Sequence, residues 1–444
     1  MSVFALILKS NILTQVVKTT FLEIRMNTKL NVAVAAALFA AATGAQAGIT
    51  IPAGDWTLDI GGVVNAYYTN TRVSGDATAG YATLTSGRGS QDALNGGGDF
   101  NRSQSNITTG LLPNYLSISG KTRQNDLDVA FTISINPGSS TTQAGIQNGT
   151  AGASRTVNQE NRQAFLTFGD ASWGSIKLGK DLGIFASDAI LNDMTLLGVG
   201  GGAGGLAGNT TTLGRIGTGY IYADWKAQVA YSSPNWNGFQ FTVGATQAFD
   251  AINVIANSAT STNRGGNQPA FEGKASYEWT GDVAGKVWAG FISQKVEQLS
   301  AGGGDRVTAF DIGTTVKVAD FALTGYYYDG RGLGQTVQLN GGFDLNGKRR
   351  DSKGGYVQGT YTIPGVGTKL GASWGRSTLE ANSGDSIATG QAGKDLKDSM
   401  WTIGAYHPLT KHLNLVAEYS DVKSEVGSLD GKGKTVSLGG ILFF

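Results

Sequence analysis

Few residues in this chain carry reactive chemistry of their own. Gly200-Gly201-Gly202-Ala203-Gly204-Gly205 formally contains G-x-G-x-x-G, the pattern whose backbone amides can cradle a phosphate. It follows no βαβ pattern, opens no amphipathic helix and has no G-K-[ST], so it reads as a flexible glycine tract and nucleotide binding is set aside. The only two histidines, His407 and His412, flank one turn. Two such residues make no metal site without further ligands, and a Ser-His-acid centre would need a histidine elsewhere. The absence of cysteine removes disulfide, thiolate and zinc–thiolate chemistry together. Basic runs such as Lys348-Arg349-Arg350 are too short, and too balanced by acids, for nucleic acid. The expectation is a protein with no catalytic site, no metal, no cofactor and no nucleic-acid partner.

The elements that position these residues are strands. In the last thirteen residues, KGKTVSLGGILFF, Val436, Leu438, Gly440, Leu442 and Phe444 fall on one face and Thr435, Ser437 and Gly439 on the other. Only Ile441 and Phe443 break the alternation. One greasy face on a terminal strand suits either an edge of a soluble sandwich or a closed barrel in lipid. A barrel satisfies both the open edge and the apolar face. The whole chain has 444 residues, 67 of them glycine, a formal net charge of +1 and a mean hydropathy of −0.10. After residue 47 no apolar run approaches the roughly 18 residues of a spanning helix. Alternating strands hide their membrane signal in such an average.

From Met26 the chain reads MNTKLNVAVAAALFAAATGAQAGIT: Lys29, an apolar stretch from Leu30 to Ala42, and Ala45-Gln46-Ala47 before Gly48. This is the form of a secretory signal peptide, so residues 26–47 are expected to be a leader and 48–444 the mature domain. Residues 1–25 then read as an extension from a start assigned too early. Removing 1–47 takes four basic residues and one acid from 34 and 33, leaving 30 against 32. With no bulk field of either sign, selectivity must come from local placement.

Alternating segments recur to the end. They lie near 56–68, 115–123, 127–135, 160–169, 175–180, 219–233, 239–247, 270–279, 286–296, 307–317, 321–329, 353–363, 368–376, 397–406, 412–421 and 432–444, sixteen in all. Short connections alternate with long ones, which include 70–113 and 136–159. A sandwich has no reason to gather its long loops at one end, whereas an outer-membrane barrel does. An even strand count returns both termini to the periplasmic side. Trp173 and Trp236 fall in short turns, and Trp56, Trp279, Trp288, Trp374 and Trp401 near strand ends, as aromatic girdles at two interfaces would require. The expected fold is all-β: a transmembrane antiparallel barrel of sixteen strands.

Over essentially the whole mature chain the sequence resembles the general porins of the Gram-negative outer membrane. Terminal Phe444 on an alternating strand resembles that family's signal to the barrel-assembly machinery. Tyr406-His407-Pro408-Leu409-Thr410-Lys411-His412-Leu413, with Glu418-Tyr419, resembles its Y-x-L-S-K-R-T-x-L-Y turn. Asn161-Arg162-Gln163-Ala164-Phe165, running to Gly174-Ser175-Ile176-Lys177-Leu178-Gly179-Lys180, resembles the two strands that lead into the third loop. The resemblance implies a homotrimer in outer-membrane lipid, passing small hydrophilic solutes and ions by passive diffusion, with the third loop folded inward to narrow the pore.

That loop would run from Asp181 to about Gly217, with a short helical turn near Ser187–Met194 and a Gly-rich return. The resemblance then implies that Asp181, Asp188 and Asp193 bring carboxylates to a pore constriction. A basic wall faces them: Arg162 at one family position, with Lys121, Arg123, Lys177 and Lys180 as further candidates. The transverse field between the two sets would order water and sort solutes by charge. The chain departs from the pattern at Tyr115 and Ser232, where the family carries wall charges, and it lacks the P-E-F-G-G segment of many third loops. The rivals are a substrate-selective channel for a sugar, phosphate or organic acid, and a non-conducting adhesive barrel. Tyr326-Tyr327-Tyr328 would favour the former if it faced the lumen.

Overall fold

A computed structural model describes residues 48–75, 103–139, 159–201, 211–252, 258–382 and 393–444. The 1–25 extension, the 26–47 leader and the glycine tract from residue 202 lie outside the described residues.

Period-two alternation becomes an antiparallel ladder throughout. β1 (Ile49–Ala53) and β2 (Trp56–Gly75) open the sheet. β3 (Ser103–Thr108) and β4 (Tyr115–Gln124) make one interrupted stave beside β2. Next come β5 (Leu127–Pro137) and a second interrupted stave, β6 (Gln159–Glu160) with β7 (Ala164–Asp170). Then follow β8 (Gly174–Leu182), β9 (Trp225–Ser232), β10 (Phe239–Thr246), β11 (Ala270–Trp279), β12 (Val283–Val296), β13 (Asp305–Val318) and β14 (Phe321–Arg331). β15 (Asp351–Thr362), β16 (Lys369–Leu379), β17 (Leu396–Pro408), β18 (Leu413–Val426) and β19 (Leu429–Phe443) complete the sheet. It closes where β19 pairs with β2, from Gly431↔Gly75 to Phe443↔Val63. β1 continues the same edge, with Ile49 opposite Ile60. Counting each interrupted pair as one stave, and β1 with β19 as another, the barrel has sixteen. Closure leaves no free edge, and Phe444 still exchanges both backbone hydrogen bonds with Gly62, at 2.8 and 3.0 Å.

The outward face is apolar: Val64, Leu116, Ile118, Phe291, Phe310, Ile312, Leu323, Val357, Ile403, Leu438 and Leu442 are exposed, each flanked by inward neighbours. Ile441 and Phe443, which break the terminal alternation, point inside and join Val63 in the core. Tight two-residue turns carry positive φ at Asn125 and Asp126, and at Ala319, as reversals of this kind require.

The segment between β3 and β4 bends into the lumen. Asn65 holds it, donating from Nδ2 to the Leu112 carbonyl (2.8 Å) and accepting from the Gly110 amide (2.9 Å). The Asn114 side chain accepts from the Asn65 amide (2.6 Å). A Cβ on Gly110 would stand 2.4 Å from the Gly198 carbonyl, so glycine is needed for that approach.

Four sequence expectations need correction. β2 runs to Gly75 and Ser103–Thr108 is a strand, so the first long connection is shorter than 70–113. Residues 219–224 belong to the returning loop, and β9 begins at Trp225. The last connection at the long-loop end is only Gly427–Ser428, so long and short connections do not alternate strictly. There the polar tops of β18 and β19 stay paired through their ladder to Val426↔Leu429, with Lys423 reaching across to Asp430 (3.6 Å). Trp288 is buried on the lumen face over Gly313 and is no part of an interfacial girdle.

Candidate functional site

In the connection from β8 to β9, the described residues 183–201 and 211–224 fold inside the barrel. Its first arm carries α1 (Ser187–Leu191) and a 3-10 turn at Met194–Leu197, capped when the Asp193 carboxylate accepts from the Thr195 amide at 3.0 Å. The arm leans along the wall from β11 round to β2 through a series of polar contacts. Glu272 of β11 accepts the amides of Ile184 (2.8 Å) and Phe185 (2.9 Å). Lys274 and Lys286, on β11 and β12, each reach Asp188 at 2.8 Å. Tyr356 of β15 donates to the Ala189 carbonyl (2.8 Å), and Gln358 accepts the Met194 amide (2.7 Å). Glu418 of β18 accepts the amides of Val199 (2.7 Å) and Gly200 (2.9 Å), and Tyr67 of β2 donates to the Leu197 carbonyl (2.7 Å). The Leu111 amide, on the inward bend, donates to the Gly198 carbonyl at 2.8 Å.

The returning arm follows a similar wall. Arg215 donates to the Met400 carbonyl (2.9 Å) and to Ser373, and Gly219 donates to Ser377 (3.0 Å). Loop 332–350 also turns inward, with Leu333, Leu339 and Phe343 fully buried, and Tyr222 donates to the Thr336 carbonyl (2.9 Å). Lys226 joins the two loops, binding Glu272 (2.5 Å) and Gln338 (2.7 Å) in a site closed to solvent.

The three carboxylates read from the sequence are all buried: Asp181 is 2% exposed, Asp188 3% and Asp193 4%. Asp181 pairs with Lys177 and accepts from Gln163 (3.0 Å), at the root of the loop. Burial raises the cost of charging Asp188, but the ammonium groups of Lys274 and Lys286 outweigh it and hold the carboxyl well below the usual range. Asp193 accepts from Thr195 and from Tyr220 (2.9 Å). Burial, then the Asp193 carboxylate, push the Tyr220 phenol well above its ordinary value. Asp181 thus fixes the root of the loop, Asp188 seats it on β11 and β12, and Asp193 ties its two arms together.

The basic candidates separate. Arg162, in the break between β6 and β7, is buried beside Glu160 (2.8 Å) and stands 5.8 Å over the Trp225 ring. Lys121 shares the lumen face with Ser117 and Ser119, near Asp59 (3.6 Å), at the short-turn end. Arg123 is also at that end, bridging Asp128 and Asp170 at 2.9 Å each, outside any constriction. Lys180 falls on the outward face with Leu178 and donates to the Asn161 carbonyl (2.8 Å), so strand alternation removes it from the lumen.

Among the described residues, five inward lysines were missed: Lys226, Lys274, Lys286, Lys317 and Lys369. Each stands on the inward face of its strand, the face shared by Ser276, Thr315 and Ser373. Alternation from the outward apolar residues would have found them. Neither Lys317 nor Lys369 forms an ion pair among the described residues; Lys369 instead lies 5.0 Å over the Tyr406 ring. Tyr326 and Tyr328 face inward and Tyr327 outward, which orients the tyrosine run. His407 pairs its ring with Thr368 (2.9 Å) at the short-turn end, far in the fold from the inward loop.

Leu111–Pro113, Leu182, Arg162 and Trp225 pack directly against the inward loop, with the Leu112 amide donating to the Leu196 carbonyl at 3.3 Å. Between them and the loop is a cavity of about 40 Å³, closed on the loop side by Ile190, Leu191, Leu196, Leu213, Ile216 and Tyr222.

A family model described as Gram-negative porin matches residues 32–427. Among solved structures, the outer membrane channel DcaP of Acinetobacter baumannii aligns with a TM-score of 0.61 at 17% identity, covering 90% of this chain and 100% of that one. In-vitro folded OmpT, an outer membrane protein of Vibrio cholerae, aligns with a TM-score of 0.53 at 13% identity, covering 89% of this chain and 99% of that one. At such identities the structures speak for the fold alone. No curated protein matches the chain.

Proposed function

The chain belongs to the Gram-negative porin family, outer-membrane channels for diffusion, and on that premise we propose how it filters what it passes. Small hydrophilic solutes and ions cross a homotrimer, each subunit narrowed by its own loop 183–224, with transport down the gradient and no turnover. The carrying observation is the position of that loop. It is seated on the β11–β18 wall by Glu272, Lys274, Lys286, Gln358 and Glu418 and on the inward bend through the Leu111 amide, so it stands within the barrel and takes up part of its section. Residues 26–47 direct export and 48–444 form the barrel. Phe444, bonded to Gly62 at the seam, is the residue the assembly machinery reads.

Charge in this reading lies on the wall. Asp188 is matched by two lysines, while Lys317 and Lys369 stand on inward faces of their strands with no ion pair among the described residues. An unmatched positive wall favours anions. The test is single-channel recording of the mature protein in a planar bilayer under a KCl gradient. Open steps in groups of three with a reversal potential of anionic sign support the proposal. Silent insertion of a heat-modifiable, β-rich protein removes the channel, single steps remove the trimer, and a cationic reversal potential removes the role of the two lysines.

A further inference from the structure

Arg72 and Lys434 stand directly opposite each other on neighbouring strands, β2 and β19, and both are exposed on the outward face. Like charges opposed across a ladder repel and weaken the pairing, so the position calls for an anion. The protein supplies little of one. Among the described residues Arg72 forms no ion pair, and Lys434 reaches only Asp421, at 3.9 Å. Two residues further along, Lys432 and Lys423 also face each other, and they share Asp430 at 3.1 and 3.6 Å. The other partner of Lys423 is Glu425 (2.7 Å), which Arg376 of β16 shares at 3.3 Å. Five cations of this patch therefore meet three carboxylates.

The height of the patch says which anion. Tyr419, level with Val436 and Asn70, packs against Trp401 with 5.1 Å between ring centroids. Outward rings of this kind stand where acyl chains meet headgroups. One step lower, exposed Leu438 and Tyr68 belong to the apolar band that acyl chains cover. The β18–β19 reversal lies at the long-loop end, so the leaflet above this band is the outer one. Arg72 and Lys434 lie two residues beyond the rings, about 7 Å, at the level of its headgroups.

We infer that Arg72, Lys432 and Lys434 bind a phosphate group of the outer-leaflet lipid, a phosphate monoester carried on acyl chains. The planar guanidinium of Arg72 suits bidentate contact with phosphate, and Ser103, opposite it on β3, brings a hydroxyl to the same side. The inference rests on the outer-membrane barrel and not on conduction through it.

Native mass spectrometry of the mature protein, folded in detergent and checked by heat-modifiability, counts the bound lipid. The probes are bis-phosphorylated lipid A, the same lipid freed of both phosphates, and inorganic phosphate as competitor. The proteins are the unmodified chain, the double variant Arg72→Gln with Lys434→Gln, and Lys353→Gln, an outward lysine held by Glu380. Each cation at the headgroup is worth about fivefold, so affinity for lipid A should fall about twenty-five-fold in the double variant and hold in Lys353→Gln. The phosphate-free lipid should bind the unmodified protein as weakly as lipid A binds the double variant. Equal affinity of the unmodified and doubly substituted proteins for lipid A would overturn the inference, as would equal affinity for the lipid with and without its phosphates. Displacement of lipid A by millimolar inorganic phosphate would overturn it in favour of a soluble anion. Loss of the trimer in the double variant, with lipid affinity per subunit unchanged, would overturn it in favour of a neighbouring subunit. A non-conducting barrel that binds lipid A as expected would remove the channel and leave this inference standing.

Discussion

Replacing Asp188 by asparagine keeps its volume and removes one charge from the most heavily bridged point of the loop. Asp188 is 3% exposed and meets Lys274 and Lys286 at 2.8 Å each, while Lys286 keeps Glu278 at 3.3 Å and Lys274 keeps the Ser187 hydroxyl at 2.9 Å. The variant therefore leaves about one uncompensated positive charge beside the path. At roughly 8 Å and an effective dielectric near 40, that charge is worth about 1 kcal/mol to a passing ion. The anion-to-cation permeability ratio should rise about fivefold. Stripping one partner from a buried pair can cost ~3–5 kcal/mol, but these lysines are 23% and 27% exposed and can rehydrate, so the loss should lie below that range. The folded-state pKa of Asp188 is depressed, so its contribution is complete above the unfolded value, near 3.9, and is lost only as pH falls through the lower folded value. The difference in reversal potential between the two proteins should accordingly persist as pH is lowered to about 4. Bilayer recordings under a KCl gradient measure it directly. An unchanged reversal potential in a folded, conducting Asp188→Asn channel would refute the argument, as would a difference that disappears near pH 5.

Three further substitutions test separate contacts. Lys226→Met leaves Glu272 closed from solvent without its cation, which should destabilise by ~3–5 kcal/mol and lower the temperature at which the barrel loses its heat-modifiable form. Gly198→Ala would place a Cβ 2.2 Å from a Glu418 carboxylate oxygen, so the loop tip should lift from β18 and single-channel recordings should show added flicker. Lys180→Gln lies on the outward face and should leave the reversal potential unaltered, which distinguishes it from changes at Lys317 or Lys369.

The barrel was legible because lipid acts on every stave in the same way. An outward face such as Val64, Leu116, Phe291 or Leu438 must be apolar whatever its neighbours, so a local pattern suffices to find the strand. Above the lipid that constraint ends. The upper parts of β18 and β19 are polar and pair with each other, and β3, polar but for Ile107, pairs with β2, so all three read as loop. The filter was harder to read for a related reason. Asp188 declares its charge in the sequence, but its partners lie 86 and 98 residues away, on strands whose inward residues look like any other polar position. A carboxylate without partners would have stayed in water and lined the pore, whereas one beside two lysines can leave water and fasten the loop. The same holds for the apolar residues of AILNDMTLL: Ile190, Met194, Leu196 and Leu197 pack into one buried cluster with Leu111 and Leu112, held by the Leu111 and Leu112 amides on the Gly198 and Leu196 carbonyls. Charged and apolar residues alike fasten the loop through contacts that come from across the barrel, which is why no local pattern announces them.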